Sequence, residues 1–168
     1  MTAAAVTLPA DFLAMMDRGV SVIVSSAGLD LRPSVMRAVG SRIEAGGGQI
    51  TVYVSRQQSG QLLQDIASTG RIAVVFCEPS THRTVQVKAR QAQIRCAEPS
   101  DEPALARYLE SMIHEISLVG HSSRFTRAML NQQLDDVVAI SFVPADAFDQ
   151  TPGPQAGARL HHSAGANP

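Results

Sequence analysis

The sequence predicts a mainly β, α+β fold: a six-stranded antiparallel barrel with three or four helices. Three observations carry this. Short runs rich in Val, Ile and Thr alternate apolar and polar residues along the chain. Tight turns join most of them, which favours antiparallel pairing, and closing a small sheet removes exposed edges. The helical segments are too few and too irregularly placed for a doubly wound parallel sheet.

The elements follow in order. Pro9 to Asp17 reads as a helix, with Phe12, Leu13 and Met16 on one face and Gly19 to end it. Val20 to Ser26 is β-rich, and 27–33 is a turn. Ser34 to Glu44 alternates as one strand, with Val35 and Val39 on one face; Ala45 to Gly48 is a hairpin turn. Gln49 to Ser55 sets Ile50, Val52 and Val54 against Thr51, Tyr53 and Ser55. A short helix covers Ser59 to Ser68, closed by Gly70, with Leu62, Leu63 and Ile66 inward. Arg71 to Glu78 is a nearly continuous apolar strand, and Pro79 to His82 turns the chain into a long strand, Arg83 to Arg95. Ser100 or Asp101 caps a helix running to about Val119, with Leu105, Leu109, Met112, Ile113 and Ile116 at helical spacing. A further helix is expected over Ser123 to Leu134 and a last strand over Val137 to Val143.

The 168 residues suit one domain, set at 1–150, followed by a Pro/Gly-rich tail, 151–168, expected to be mobile from about Arg159. Hydrophobic residues make up 45% of the chain, which marks it as globular. A net charge of −1 argues against a general nucleic-acid binder, and 4% aromatics with no Trp against a base-stacking platform. No apolar run approaches the roughly 18 residues of a membrane helix, and Met1 to Val6 carries no basic leader, so the cytoplasm is the default. Cys77 and Cys96 are far apart and form no C-x-x-C, so they read as small hydrophobes or ordinary thiols.

Chemistry concentrates between Arg37 and Gln61. Arg37 and Arg42 precede a helix start at Ser59, and arginine forks beside free helix N–H groups can seat a phosphate. Their spacing of five places the two arginines on opposite faces of an ideal strand, so a shared phosphate needs a bulge or a dimer interface. The plainer alternatives are a solvated strand face for both arginines, simple capping for Ser59, and exposed strand positions for Thr84 and Lys88. His82, His114 and His121 lack metal-site spacing, and His161-His162 falls in the tail; no metal site is expected. There is no G-x-S-x-G elbow, dinucleotide fingerprint or Walker loop. Asp135-Asp136 reads as a cap or turn, and Glu98, Asp101 and Glu102 suit a helix N-terminus. No residue stands out as a catalytic acid or base.

Several segments, in order, resemble a known family. They are Asp30 to Arg37, Thr51 to Ser55, Ser59-Gly-Gln61, Arg71 to Phe76, Arg83 to Ala89, and Gln150 to Gly157. Together they resemble the FMN-binding split barrel of the pyridoxamine 5'-phosphate oxidase family. That resemblance implies a six-stranded antiparallel split β-barrel and a homodimer with the flavin at its interface. It implies that Arg37 and Arg42 face the flavin phosphate and ribityl chain, and that Val39 offers backbone groups to the ring edge. Ser55 and Ser59 would bring hydroxyls near the phosphate, and Thr84 would lie beside the flavin. Gln61 stands where the family usually has Lys, removing one charge, with Arg56 or Arg42 to compensate. Nothing in the C-terminal part resembles the family's substrate-phosphate Arg/His set, which argues against vitamin B6 as substrate. The implied function is an FMN-dependent oxidoreductase acting on a small molecule. The alternatives are a non-enzymatic FMN or haem binder or sensor, a reductase using the deazaflavin F420, and an oligomeric structural protein with an empty cleft.

Overall fold

The computed structural model describes residues 6–160. Its first helix, α1 (Ala10–Arg18), starts after Pro9 and stops at Gly19, whose φ of 91° few side chains tolerate. Phe12, Met15 and Met16 are its buried face.

Nine strands form among the described residues, in two antiparallel sheets. The five-stranded sheet contains β1 (Ser21–Ala27), β2 (Pro33–Arg37), β5 (Ile72–Cys77), β6 (Thr84–Ala89) and β9 (Asp146–Asp149), ordered β2-β1-β5-β6-β9. The four-stranded sheet contains β3 (Gly40–Ile43), β4 (Ile50–Ser55), β7 (Gln93–Cys96) and β8 (Val137–Phe142), ordered β3-β4-β8-β7. No ladder among the described residues joins the sheets into a closed six-stranded barrel. The fold is α+β with two packed antiparallel sheets.

The strand count differs from the expected six because two long strands each divide between the sheets and because β9 adds a strand that was not expected. Ser34 to Glu44 becomes β2 and β3. The switch lies between consecutive residues: Ala38 N–H donates to Val22 O at 2.9 Å, and Val39 N–H to Tyr53 O at 2.7 Å. Gly40 permits it, since a Cβ there would lie 2.7 Å from Leu105 Cδ2. Val35 and Val39 therefore part company: Val35 is 60% exposed and Val39 is buried. Likewise Arg83 to Arg95 becomes β6 and β7, with Ala92 N–H donating to Gly70 O between them.

The main core lies between the sheets. Val22, Val24, Val74, Phe76, Val85 and Val87 meet Ile50, Val52, Val54, Val138, Ile140 and Phe142. Helix α2 (Gly60–Thr69) adds Leu62 and Ile66. Helix α3 (Glu102–Leu118) covers the far face of the four-stranded sheet, packing Ala104 and Leu105 on Val39, Tyr53, Val137 and Ala139. Every residue of β4 is consequently buried, so the alternation expected there is not a core/solvent alternation. Tyr108 and Met112 of α3 reach the main core.

Helix α4 (Ser123–Met129) is capped by the Ser122 hydroxyl, which accepts from Phe125 N–H, and is shorter than expected. The chain then makes a 3-10 turn at Leu134–Asp136 before β8. The Pro/Gly-rich segment after Gln150 folds back on β9. Gly157 N–H donates to Asp149 O, Arg159 bridges to Phe148, and Leu160 N–H donates to Ala147 O. The expectation of a mobile tail beyond this point, with His161-His162, lies outside the described residues, as do residues 1–5.

Candidate functional site

Helix α2 positions the first part of the site. Its C-terminal half lies along the start of β2: Thr69 Oγ1 donates to Ala27 O, and Ser34 Oγ donates to Asp65 Oδ2 at 2.6 Å. Ser59 occupies the N-cap position, but its side chain makes no capping bond. It is 1% exposed, and its Oγ has no partner among the described residues. Of the buried hydroxyls in that condition, only this one stands at a helix N-terminus.

Arg37 is exposed, donates to Ser21 Oγ at 3.2 Å, and pairs with no carboxylate among the described residues. Val39 lies two residues on, its N–H already given to Tyr53 O. Ser55 Oγ donates to Asp136 Oδ2 at 2.6 Å and accepts from Gln58 N–H, while Asp136 Oδ1 takes Gln57 N–H at 2.9 Å. Asp136, read as a cap or turn residue, thus ties the β4–α2 connection to the start of β8. Gln61 is turned along its own helix, donating to Asp65 Oδ1 at 2.8 Å. Arg37 ends β2 just before the sheet switch, Val39 follows it, and Ser55 and Ser59 stand at the two ends of the β4–α2 connection.

Thr84 pairs with Cys77, which pairs with Ser21, so Thr84 shares the outer face of the five-stranded sheet with Arg37 but sits two strands from Ser21. Its Oγ1 donates to His82 O at 2.8 Å. Arg42 points to the α3 side of the four-stranded sheet, 3.9 Å from Asp101 Oδ1.

There it joins a cluster that sequence reasoning missed. Asp101 is fully buried and receives both Arg95 nitrogens, at 2.6 and 2.8 Å, the Tyr53 hydroxyl at 2.8 Å, and the Glu98 N–H at 2.9 Å. The Arg95 hydrogen bonds hold the Asp101 carboxyl well below the ordinary carboxylate range. Burial, with the Asp101 carboxylate beside it, pushes the Tyr53 phenol up to about 12. This constellation is saturated and reads as a structural clasp between β3, β4, β7 and α3. The available signal was Asp101 three residues after Glu98, a capping-box spacing.

The described histidines contribute little. His82 and His114 are exposed, and His121 stacks on Phe125 with centroids 4.8 Å apart. Among the described residues no three His, Cys, Asp or Glu side chains gather as a metal site. Cys77 and Cys96 are free thiols, and Arg56 donates to Cys96 Sγ at 3.1 Å. No described helix is long and apolar enough to cross a membrane.

The sequence matches no protein-family profile and no curated protein. Solved structures do match. HupZ of Group A Streptococcus superposes with a TM-score of 0.54 at 12% identity, covering 89% of this chain and 99% of that one. A pyridoxamine 5'-phosphate oxidase-like protein of Lactobacillus delbrueckii gives 0.53 at 12% identity, covering 84% and 93%. An F420 reductase gives 0.52 at 15% identity, covering 83% and 98%. The chain therefore has the fold of the pyridoxamine 5'-phosphate oxidase-like proteins.

Proposed function

We propose that this protein binds FMN non-covalently, with the phosphate at the N-terminus of α2. The observation that carries the proposal is the Ser59 hydroxyl, buried without a partner where the first N–H groups of a helix are open. No acidic residue occupies the first turn of α2, and Arg37 brings a guanidinium not committed to a described carboxylate. Asp136 is satisfied by Ser55 and Gln57, which leaves Ser59 available. Val39 would face the flavin through its remaining backbone groups, with Ser55 supporting the loop below the phosphate. Arg42 is drawn toward Asp101, so its part is to hold β3 in place rather than to meet the cofactor.

The outer face of the five-stranded sheet supports a homodimer. A row runs across all five strands: Arg37, Ile23, Val75, Gln86 and Phe148. A second copy laid on this row would bring Thr84 and the flavin into the interface. Bound FMN would supply hydride chemistry that no side chain here provides, making the protein an oxidoreductase toward a small molecule. The two free thiols suit a reducing, cytoplasmic setting.

A second reading is favoured by Gln61. Its amide is spent on Asp65, so the site has one cation fewer than a Lys there would give. FMN would then be held loosely, and F420 used as a diffusing cosubstrate, as the fold shared with an F420 reductase allows.

The test is the absorption spectrum of the purified protein, with and without added FMN, followed through gel filtration. Flavin bands that co-elute support the reading; no uptake of FMN sinks it and makes F420 titration the next step. A Soret band would instead support the haem alternative. Ser59→Ala separates binding from folding. No capping bond is lost, so stability should hold within about 0.5 kcal/mol, while FMN affinity falls roughly tenfold. Oxidation of NADH or NADPH by the FMN-loaded protein would separate an enzyme from a store or sensor.

A further inference from the structure

The end of the five-stranded sheet opposite Thr84 carries an arrangement that the flavin reading does not use. Ile72 of β5 pairs with Ala89 of β6. Just beyond this last pair come Arg71 and Arg90, both exposed and both lining one cleft. Lys88 follows on the same face. Like charges brought together across strands are unfavourable. Yet none of the three pairs with a described carboxylate. Lys88 Nζ instead sits 4.9 Å from the centre of the Phe148 ring, and the nearby Asp146 is taken by Arg159.

The cations rim a real cleft of about 510 Å³. Small side chains, Ala27, Ala73 and Ala145, open its floor. The backbone beneath is pinned: Ser26 Oγ donates to Arg71 O at 2.8 Å and Ser25 Oγ to Ala73 O at 3.1 Å. Gly70 lets Arg71 come this close, since its left-handed turn lies against Arg90 O.

We infer that Arg71, Lys88 and Arg90 form a binding site for the phosphate of a small organic phosphate. Two guanidinium groups and an ammonium suit a phosphate dianion, whose oxygens can take both forks at once, better than a single carboxylate. The cleft volume leaves room for the body of such a ligand. Arg71 comes directly after Gly70, the C-terminal cap of α2, a helix of ten residues and hence about 15 Å long, so this seat is separate from the start of α2 and does not depend on flavin binding.

Inorganic pyrophosphate is the probe, titrated calorimetrically into the intact protein at fixed ionic strength. Binding should weaken by roughly tenfold or more in Arg71→Gln and Arg90→Gln, and stay unchanged in Arg124→Gln. Thermal unfolding gives a second readout. Relief of the clustered charges should leave ligand-free Arg71→Gln at least as stable as the parent, while pyrophosphate should no longer raise its Tm. Absence of binding, equal binding in all variants, or loss in Arg37→Gln alone would each overturn the assignment. The last outcome would place the anion at α2 instead. Because the probe contains no flavin, failure here leaves the FMN proposal standing, and failure of FMN uptake leaves this one standing.

Discussion

Asp101 shows how a single side chain can be misjudged from sequence. It reads as a helix cap, yet its carboxylate takes Arg95, Tyr53 and the Glu98 N–H, and α3 gains no side-chain cap from it. Arg95 is six positions away and Tyr53 forty-eight, so no local window brings the three together. Removing the charge would leave Arg95 and Arg42 without their anion; Asp101→Asn should cost about 2–4 kcal/mol at neutral pH, read by urea unfolding. The pH dependence has a definite sign. The folded carboxyl titrates below its unfolded value, so its contribution is present above about pH 4 and lost as pH falls through the folded value. The parent should therefore lose stability steeply in acid, and Asp101→Asn should show a shallower slope. Equal slopes would mean that Asp101 is not the responsible group. Ser59 is the opposite case: the sequence placed it correctly at a helix start, but only burial reveals that its hydroxyl is unmatched.

At the level of elements, glycines decide where the chain can turn. Gly70 ends α2 with a φ of 67°, and a Cβ there would lie 2.5 Å from the Arg90 carbonyl oxygen. Gly70→Ala combines a left-handed backbone with a clash against backbone. It should cost at least about 2 kcal/mol and lower Tm by several degrees; an unchanged melting curve would refute this account. Gly70 was readable as a helix stop because the left-handed cap is a local requirement. Gly40 was not readable as a strand break, because what it accommodates is Leu105 from a helix far along the chain. The same holds for β4. Its alternation was visible, but α3 covers the face that carries Tyr53.

For the whole molecule, the outer face of the five-stranded sheet is the feature with the largest consequence. Ile23 and Val75 stand side by side at the centre of the row that crosses it, both only half-buried. Light scattering should report a dimer for the parent and a monomer for Val75→Glu, since a carboxylate at the centre of an apolar interface is strongly unfavourable. A monomeric parent would remove the proposed interface, and a dimeric Val75→Glu would move it elsewhere.

By itself the sequence determined the antiparallel α+β character, the placement of α1, α2 and α3 to within a few residues, and the apolar phase of most strands. These depend on propensity, periodicity and turn chemistry among near neighbours. Only the tertiary structure decided that two long strands divide between two sheets, that Asp101 is a buried anion, and that Arg42 is drawn toward it. Those outcomes are set by contacts between residues tens of positions apart, where packing against α3 and the sharing of one core outweigh local preference.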